Sequence, residues 1–332
     1  MDADLLVPLL LPLMAWPLSR FVAPKLPPRM AGWLLAGSSV VLAAGSTAAL
    51  LLVAFAGLVL VPAVADAGHW SPDALRSLEA VSAPVSIGAG VVLAVLGVRL
   101  VRTAIRYLSW ARRVSRELDE HSPDGGVVIL AGAEPVAFSA PGRGGRIAVS
   151  SGMLAALTAK ERCALLAHER AHLALRHHRF LIAVTLSSAL NPLLRPLGTA
   201  AGFALERWAD ETAAARVGDR GLVARAVAKA ALAGHAPHGG FALAATGGPV
   251  PRRVSALLAA PATTGPLAIM GSALVLGLTV LSAQSALDGA ADLHDGIEIA
   301  QAAAPGQDLL SLRAHHDRHH GSAVRASVFH SR

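Results

Sequence analysis

Cysteine is almost absent from this chain of 332 residues: Cys163 stands alone, which excludes an intrachain disulfide. Charged residues are scarce as well, at 15%, against 54% hydrophobic. That balance is too apolar for an ordinary soluble domain of this length. Lysine is rare, with 3 against 26 arginines by direct count. In a background so rich in Ala, Gly and Val, the excess of arginine reads as codon bias rather than nucleic-acid binding. No internal repeat, P-loop or G-x-G-x-x-G run is present, so nothing suggests a phosphate cradle. Cys163 itself is expected to be a small buried apolar residue.

What the chain has instead is long apolar runs. Four are candidate membrane spans: Leu5 to Leu18, Trp33 to Val61, Val85 to Val101 and Leu267 to Leu287. The first carries Pro8, Pro12 and Pro17 and is expected to be kinked or re-entrant. Its start, Met1-Asp2-Ala3-Asp4, is acidic and unlike a signal peptide. Flanking charge gives the orientation. Arg20, Lys25 and Arg29 separate spans one and two. Asp66, Asp73, Arg76 and Glu79 populate the next loop. Arg99, Arg102, Arg106, Arg112, Arg113 and Arg116 follow span three. The basic segments stay in the cytoplasm, so the N-terminus and the tail after span four are external. The +7 net charge follows from this topology.

Between spans three and four lies His168-Glu169-Arg170-Ala171-His172. On a helix, residues i and i+4 share a face, so both imidazoles can reach one metal ion. Glu169 points toward the metal's open side, where it can take a proton from water. Thr158 and Glu161 form a T-x-x-E capping box, and no Pro or Gly interrupts Ala159 to Phe180. A third ligand is needed. Glu206, in Glu206-Arg207-Trp208-Ala209-Asp210, suits that job. Asp210, one turn later, can fix the tautomer of a ligating histidine.

His-Glu-Arg-Ala-His followed by Glu-x-x-x-Asp resembles the gluzincin membrane peptidases of metallopeptidase families 48 and 56. The former includes HtpX-like quality-control proteases, the latter BlaR/MecR-type signalling proteases and short actinobacterial relatives. Three β-rich runs, Gly125 to Leu130, Pro135 to Ser139 and Gly145 to Gly152, look like the strand pair placed before the zinc helix in those families. Pro251 to Leu258 is similar to their late R-[IV]-x-x-L element. The resemblance covers roughly residues 100 to 260, and the membrane layout leans toward the BlaR/MecR-like side.

Together these readings predict a mainly α integral membrane protein with a small α+β zincin-like domain. The expected layout is a membrane region over 1–104, a cytoplasmic metallopeptidase domain over 105–262, a fourth span over 263–287 and a disordered His-rich tail over 288–332. The expected activity is that of a multi-pass, zinc-dependent endopeptidase acting on a protein or peptide at the cytoplasmic face. His168, His172 and Glu206 would hold one zinc per chain, Glu169 would be the base and Asp210 would orient a ligand. The resemblance places Arg253 near the site, to meet an oxyanion or pair with Asp210; the other reading is a basic flank for span four. His177 and His178 read as a solvated helix end, the other reading being a role behind the metal ligands or toward substrate.

Phe180 to Leu205 is also apolar but spans only 26 residues. Two crossings would need about 40, and one would separate Glu206 from His168. It is read as a helical excursion that keeps the site near the bilayer. The lipid bilayer is the surrounding partner; self-association is compatible with the chain, and nucleic acid is not a partner. An alternative role is a signalling protease that cleaves a transcriptional repressor. The external tail of about 45 residues lacks S-x-x-K and is too small for an antibiotic sensor domain. A non-catalytic membrane scaffold is the weakest alternative. The tract His315 to His320 could bind divalent metal, though such tracts are often simply disordered.

Overall fold

The computed structural model describes residues 3–59, 61, 63, 64, 67, 82–119, 126–141, 144–234, 250–260 and 264–302. The acidic loop at Asp66, Asp73, Arg76 and Glu79 lies outside them, as does the tract His315 to His320.

Four helical segments are long and apolar enough to cross a membrane: Leu5–Lys25, Pro28–Leu58, Ala83–Asp119 and Pro266–Ile299. The first is irregular, as its prolines predict. It runs as α1 (Ala3–Leu10), a 3-10 turn (Leu11–Met14), α2 (Ala15–Pro17), a π turn (Leu18–Val22) and a second 3-10 turn (Ala23–Lys25). Each proline removes an N–H from the ladder, so the hydrogen-bond register shifts instead of ending. Helix α3 (Pro28–Leu58) and helix α4 (Ala83–Asp119) are uninterrupted. Val91, Val95 and Val98 on α4 are each more than half exposed, as a lipid-facing helix would leave them. Because α4 runs unbroken through residue 104, the expected domain boundary there is not a break in the chain.

The polar segment begins with three short strands, β1 (Val127–Leu130), β2 (Ala137–Ala140) and β3 (Arg146–Ser150). The sheet order is β1-β3-β2. β1 pairs parallel with β3, and β2 pairs antiparallel with it, Phe138 opposite Ala148. β3 is therefore central and β2 is an edge strand. Four further helices build the site: α5 (Ser151–Ala156), α6 (Ala159–Ala174), α7 (His177–Leu190) and α8 (Arg195–Val217). They are followed by α9 (Arg220–Ala233), α10 (Val250–Leu258) and α11 (Pro266–Ala302). α11 continues 15 residues past the expected end at Leu287, so 288–302 is helical rather than disordered tail.

The chain divides into two compact units. One is drawn from Met1–Leu6, Ala48–Leu93 and Gln284–Arg332, the other from Val7–Thr47 and Ala94–Ala283. In the first, Gly57 meets the Ser86 side chain so closely that any Cβ would collide with it.

The second unit holds the polar segment and its own apolar core. Ala15, Leu18, Leu35, Phe180, Leu197 and Leu205 are buried together, which packs α7 and α8 against the N-terminal segment and α3. Asn191 donates from Nδ2 to Ser46 Oγ at 3.0 Å. Phe180 to Leu205 is thus a helical excursion, α7 and the start of α8, buried among apolar helices. α8 begins at Arg195, and Pro196 sits in its first turn, where no N–H is needed. Gly218, at φ 77°, ends it.

A second cluster, rich in alanine, joins α6, α8, α9 and α10 through Ala164, Ala213, Val223 and Leu257. Small side chains let these helices approach closely, which matters for the polar groups between them. A third cluster, including Ala137, Val149 and Leu165, seats α6 on β2 and β3.

Candidate active site

α6 carries His168 and His172, and its start is defined by sequence. Thr158 caps it, accepting from the Glu161 amide, while Glu161 Oε2 accepts from the Thr158 amide at 2.9 Å. Lys229 Nζ of α9 reaches Glu161 at 2.7 Å. That hydrogen bond, with the one from the Thr158 backbone, lowers the Glu161 carboxyl to about 2. Cys163 is exposed, contrary to expectation, because the buried faces of α6 are taken by Ala164, Ala167 and the site residues.

Two helices bring the polar groups together. His168, His172 and Glu206 each offer a ligand atom, and these atoms lie within 4.8 Å of one another. The two Nε2 atoms are 3.0 Å apart. Glu206 Oε2 is 3.5 Å from His168 Nε2, and Glu206 Oε1 is 3.5 Å from His172 Nε2. Glu206 Oε1 is buried with no hydrogen-bond partner among the described residues. A buried carboxylate oxygen left without a donor is costly. A cation shared with the two imidazoles would satisfy it, so this donor set fits a metal ion. Two nitrogens and one carboxylate oxygen are the donor chemistry of a catalytic zinc site.

The outer nitrogens of the two histidines are held differently. His168 Nδ1 lies 2.9 Å from Asp210 Oδ1. Asp210 is in turn clamped by Arg253 of α10, whose Nε donates at 2.9 Å and Nη2 at 2.7 Å. Arg253 Nη1 also meets Glu206 Oε2 at 2.8 Å. Of the two placements expected for Arg253, the geometry supports pairing with Asp210 and adds Glu206. A guanidinium fork is well suited to two carboxylates at once. Arg252 lies elsewhere, over the Phe203 ring at 4.8 Å.

His172 Nδ1 lies 2.8 Å from His177 Nδ1. His177 is wholly buried, so the expectation of a solvated helix end fails. The cause is a break in what sequence read as one helix. α6 ends at Ala174, and Arg176 turns the chain with φ 54° and ψ 41°. A left-handed arginine is unusual, and no Gly or Pro announces it. In an unbroken helix His177 would lie half a turn away from His168. The turn brings it back, against Trp208 with ring centroids 5.0 Å apart. Its Nε2 is buried without a hydrogen-bond partner among the described residues. The spacing of five from His172 was the one available sign.

Charge follows from these contacts. Burial pushes the His168 imidazole down, but hydrogen bonds to Asp210 and Glu206 outweigh it and raise it to about 10. Burial, helped by the neighbouring His168, His177 and Arg253 and opposed by Glu206, lowers His172 to about 3. Burial would raise Glu206, yet the Arg253 charge, with His172 and His168, brings it to about 2. Glu169 is different. It is 4% exposed, and burial pushes its carboxyl up. Ser139 of β2 lies close enough to work against that rise. Ser139 is a site residue that sequence did not single out.

The family model described as Peptidase family M48 matches residues 109–201. The match takes in β1 to β3, His168, Glu169 and His172, and stops short of Glu206. It supports a metallopeptidase of that family. No curated protein and no solved structure matches the chain in the same comparisons.

Proposed function

We propose that this protein is a membrane-bound, zinc-dependent endopeptidase that cleaves a protein substrate at the cytoplasmic face. The observation that carries the reading is the convergence of His168, His172 and the undonated Glu206 Oε1 beside a buried Glu169. His168, His172 and Glu206 would hold one zinc ion. When bound, zinc supplies a Lewis acid that polarises a peptide carbonyl and acidifies water.

The chain's own residues do the rest. Glu169 takes the proton from the attacking water and passes it to the nitrogen of the departing amine. Its burial suits that task, because a carboxyl raised toward neutrality both accepts and returns a proton readily. Asp210 and His177 hold the outer nitrogens of the two ligands, fixing ring orientation and directing each Nε2 inward. Arg253 balances the two buried carboxylates, so Glu206 stays ionised despite its burial. An extended substrate would add to the free edge of β2, whose Ser139 lies near Glu169.

The orientation rests on charge: the basic segments at Arg20, Lys25 and Arg29, and from Arg99 to Arg116, mark the cytoplasmic ends of the spans. Of the two resembled families, the match to the M48 model favours the one that includes HtpX-like proteases over the repressor-cleaving type.

The test is Glu169→Gln in the purified full-length protein. Peptide hydrolysis is expected to fall by about 10²–10⁴-fold while bound zinc stays at one per chain. Full hydrolysis in that variant would remove Glu169 from the mechanism. One zinc per chain in both His168→Ala and Glu206→Ala would remove the ligand assignment.

A further inference from the structure

Beside the site is a cavity of about 480 Å³. That volume lies within the range of ligand sites, about 300–1,000 Å³. One wall is α4, through Tyr107 and Trp110. A second is α7, through Leu181, Ile182 and Leu186. The floor is α8, where Gly198 and Gly202 stand one turn apart. The fourth side is the end of β2, Ser139 and Pro141. Among the described residues no acidic side chain lines it, and Arg99 and Arg195 are both on its wall.

Two observations tie this cavity to the chemistry. Ser139 lines it and also lies close enough to Glu169 to act on its carboxyl. Pro141 follows the last residue of edge strand β2, so a chain paired along β2 is delivered into the cavity where that strand ends.

We infer that this cavity is the specificity pocket of the enzyme, taking large apolar side chains of the substrate on one side of the cleaved bond and refusing lysine and arginine. The inference rests on the peptidase reading above. The recognising chemistry is the apolar wall of Leu181, Ile182, Leu186 and Trp110, which rewards buried hydrocarbon. The two arginines repel a substrate cation brought into the same space. The wall supplied by α4 begins where that helix passes from valine-rich to arginine-rich sequence, so apolar stretches of membrane proteins are the natural source of such side chains.

Gly202 gives a clean way to fill the pocket, because, its own helix backbone aside, no atom of the described residues lies within 4 Å of the position a Cβ would take there. Full-length wild type and Gly202→Phe are incubated in detergent with a peptide library cut from a proteome. Mass spectrometry reads the residues flanking each new terminus, and zinc content is measured alongside. Wild type is expected to favour Leu, Ile, Phe or Trp at one flanking position. Gly202→Phe is expected to shift that position toward Ala, Ser and Gly by about tenfold or more, at unchanged zinc. Should Gly202→Phe lose zinc, Leu181→Ala replaces it, and the same position is expected to shift toward bulkier residues.

Wild type that cuts peptides with a preference unmoved by either variant overturns the pocket and leaves the peptidase reading standing. Wild type that holds zinc yet cuts nothing overturns both. A co-purifying lipid that Gly202→Phe expels, with cleavage preference unchanged, overturns the pocket in favour of a lipid site.

Discussion

The two histidines of α6 sit four residues apart and face the same point, yet their backs meet opposite surroundings. Behind His168 is charge: Asp210, doubly held by Arg253. Behind His172 is a neutral imidazole packed on an indole: His177 against Trp208. The charged side draws electron density toward His168 Nε2 and makes it the stronger donor. The neutral side fixes a ring position with little added charge. If the site holds a cation as proposed, the two sides together would grip it without cancelling the positive charge that polarises a carbonyl.

The comparison can be broken from its charged side first. Arg253 is 8% exposed and faces two buried carboxylates. Arg253→Met leaves both uncompensated, and unfolding free energy is expected to fall by about 3–5 kcal/mol, measured by denaturant titration in detergent.

Asp210→Asn is gentler, since the shape stays and only the charge leaves. Zinc affinity, read by competition with a chelating dye, is expected to drop up to about 100-fold. His177→Phe keeps the aromatic contact with Trp208 and removes the acceptor. Its expected loss is nearer tenfold, the lower end for groups that orient a ligand. If His177→Phe costs more than Asp210→Asn, the ordering of the two sides is reversed. The smallest effect lies outside the cluster. The lowered Glu161 carboxyl adds stability that is full above the ordinary glutamate range and lost as pH falls toward about 2. Glu161→Gln should flatten the acid loss of thermal stability between about pH 4.3 and 2. An unchanged slope would show that Lys229 contributes nothing there.

The same asymmetry explains which parts of the site were readable in advance. Asp210 is one turn beyond Glu206 on a single helix, so periodicity alone puts both on one face. His177 follows a break that no Gly or Pro marks, and periodicity sends it to the wrong side. Ser139 arrives from a strand 29 residues before His168 by numbering, and nothing in its neighbourhood distinguishes it from any other strand serine. The membrane segments divide in the same way. Apolar length identified four helices able to span a membrane, and the prolines foretold an irregular first one. The extension of α11 to Ala302 was missed, because Asp288, Asp292 and Asp295 read as tail although alanine and leucine around them favour helix.

Local sequence, then, determined whatever depends on a repeat of 3.6 residues or on a run of apolar side chains: the spans, the capped α6, the shared face of His168 and His172, and the pairing of Glu206 with Asp210. Tertiary structure alone decided what depends on distance between separate elements. It set Arg253 across two carboxylates, turned His177 inward through a left-handed arginine, and brought Ser139 near Glu169. The physical reason is one of range. Helix periodicity is set by bonds a few residues long, whereas a buried charge or an orphaned nitrogen finds its partner only when packing has removed the water.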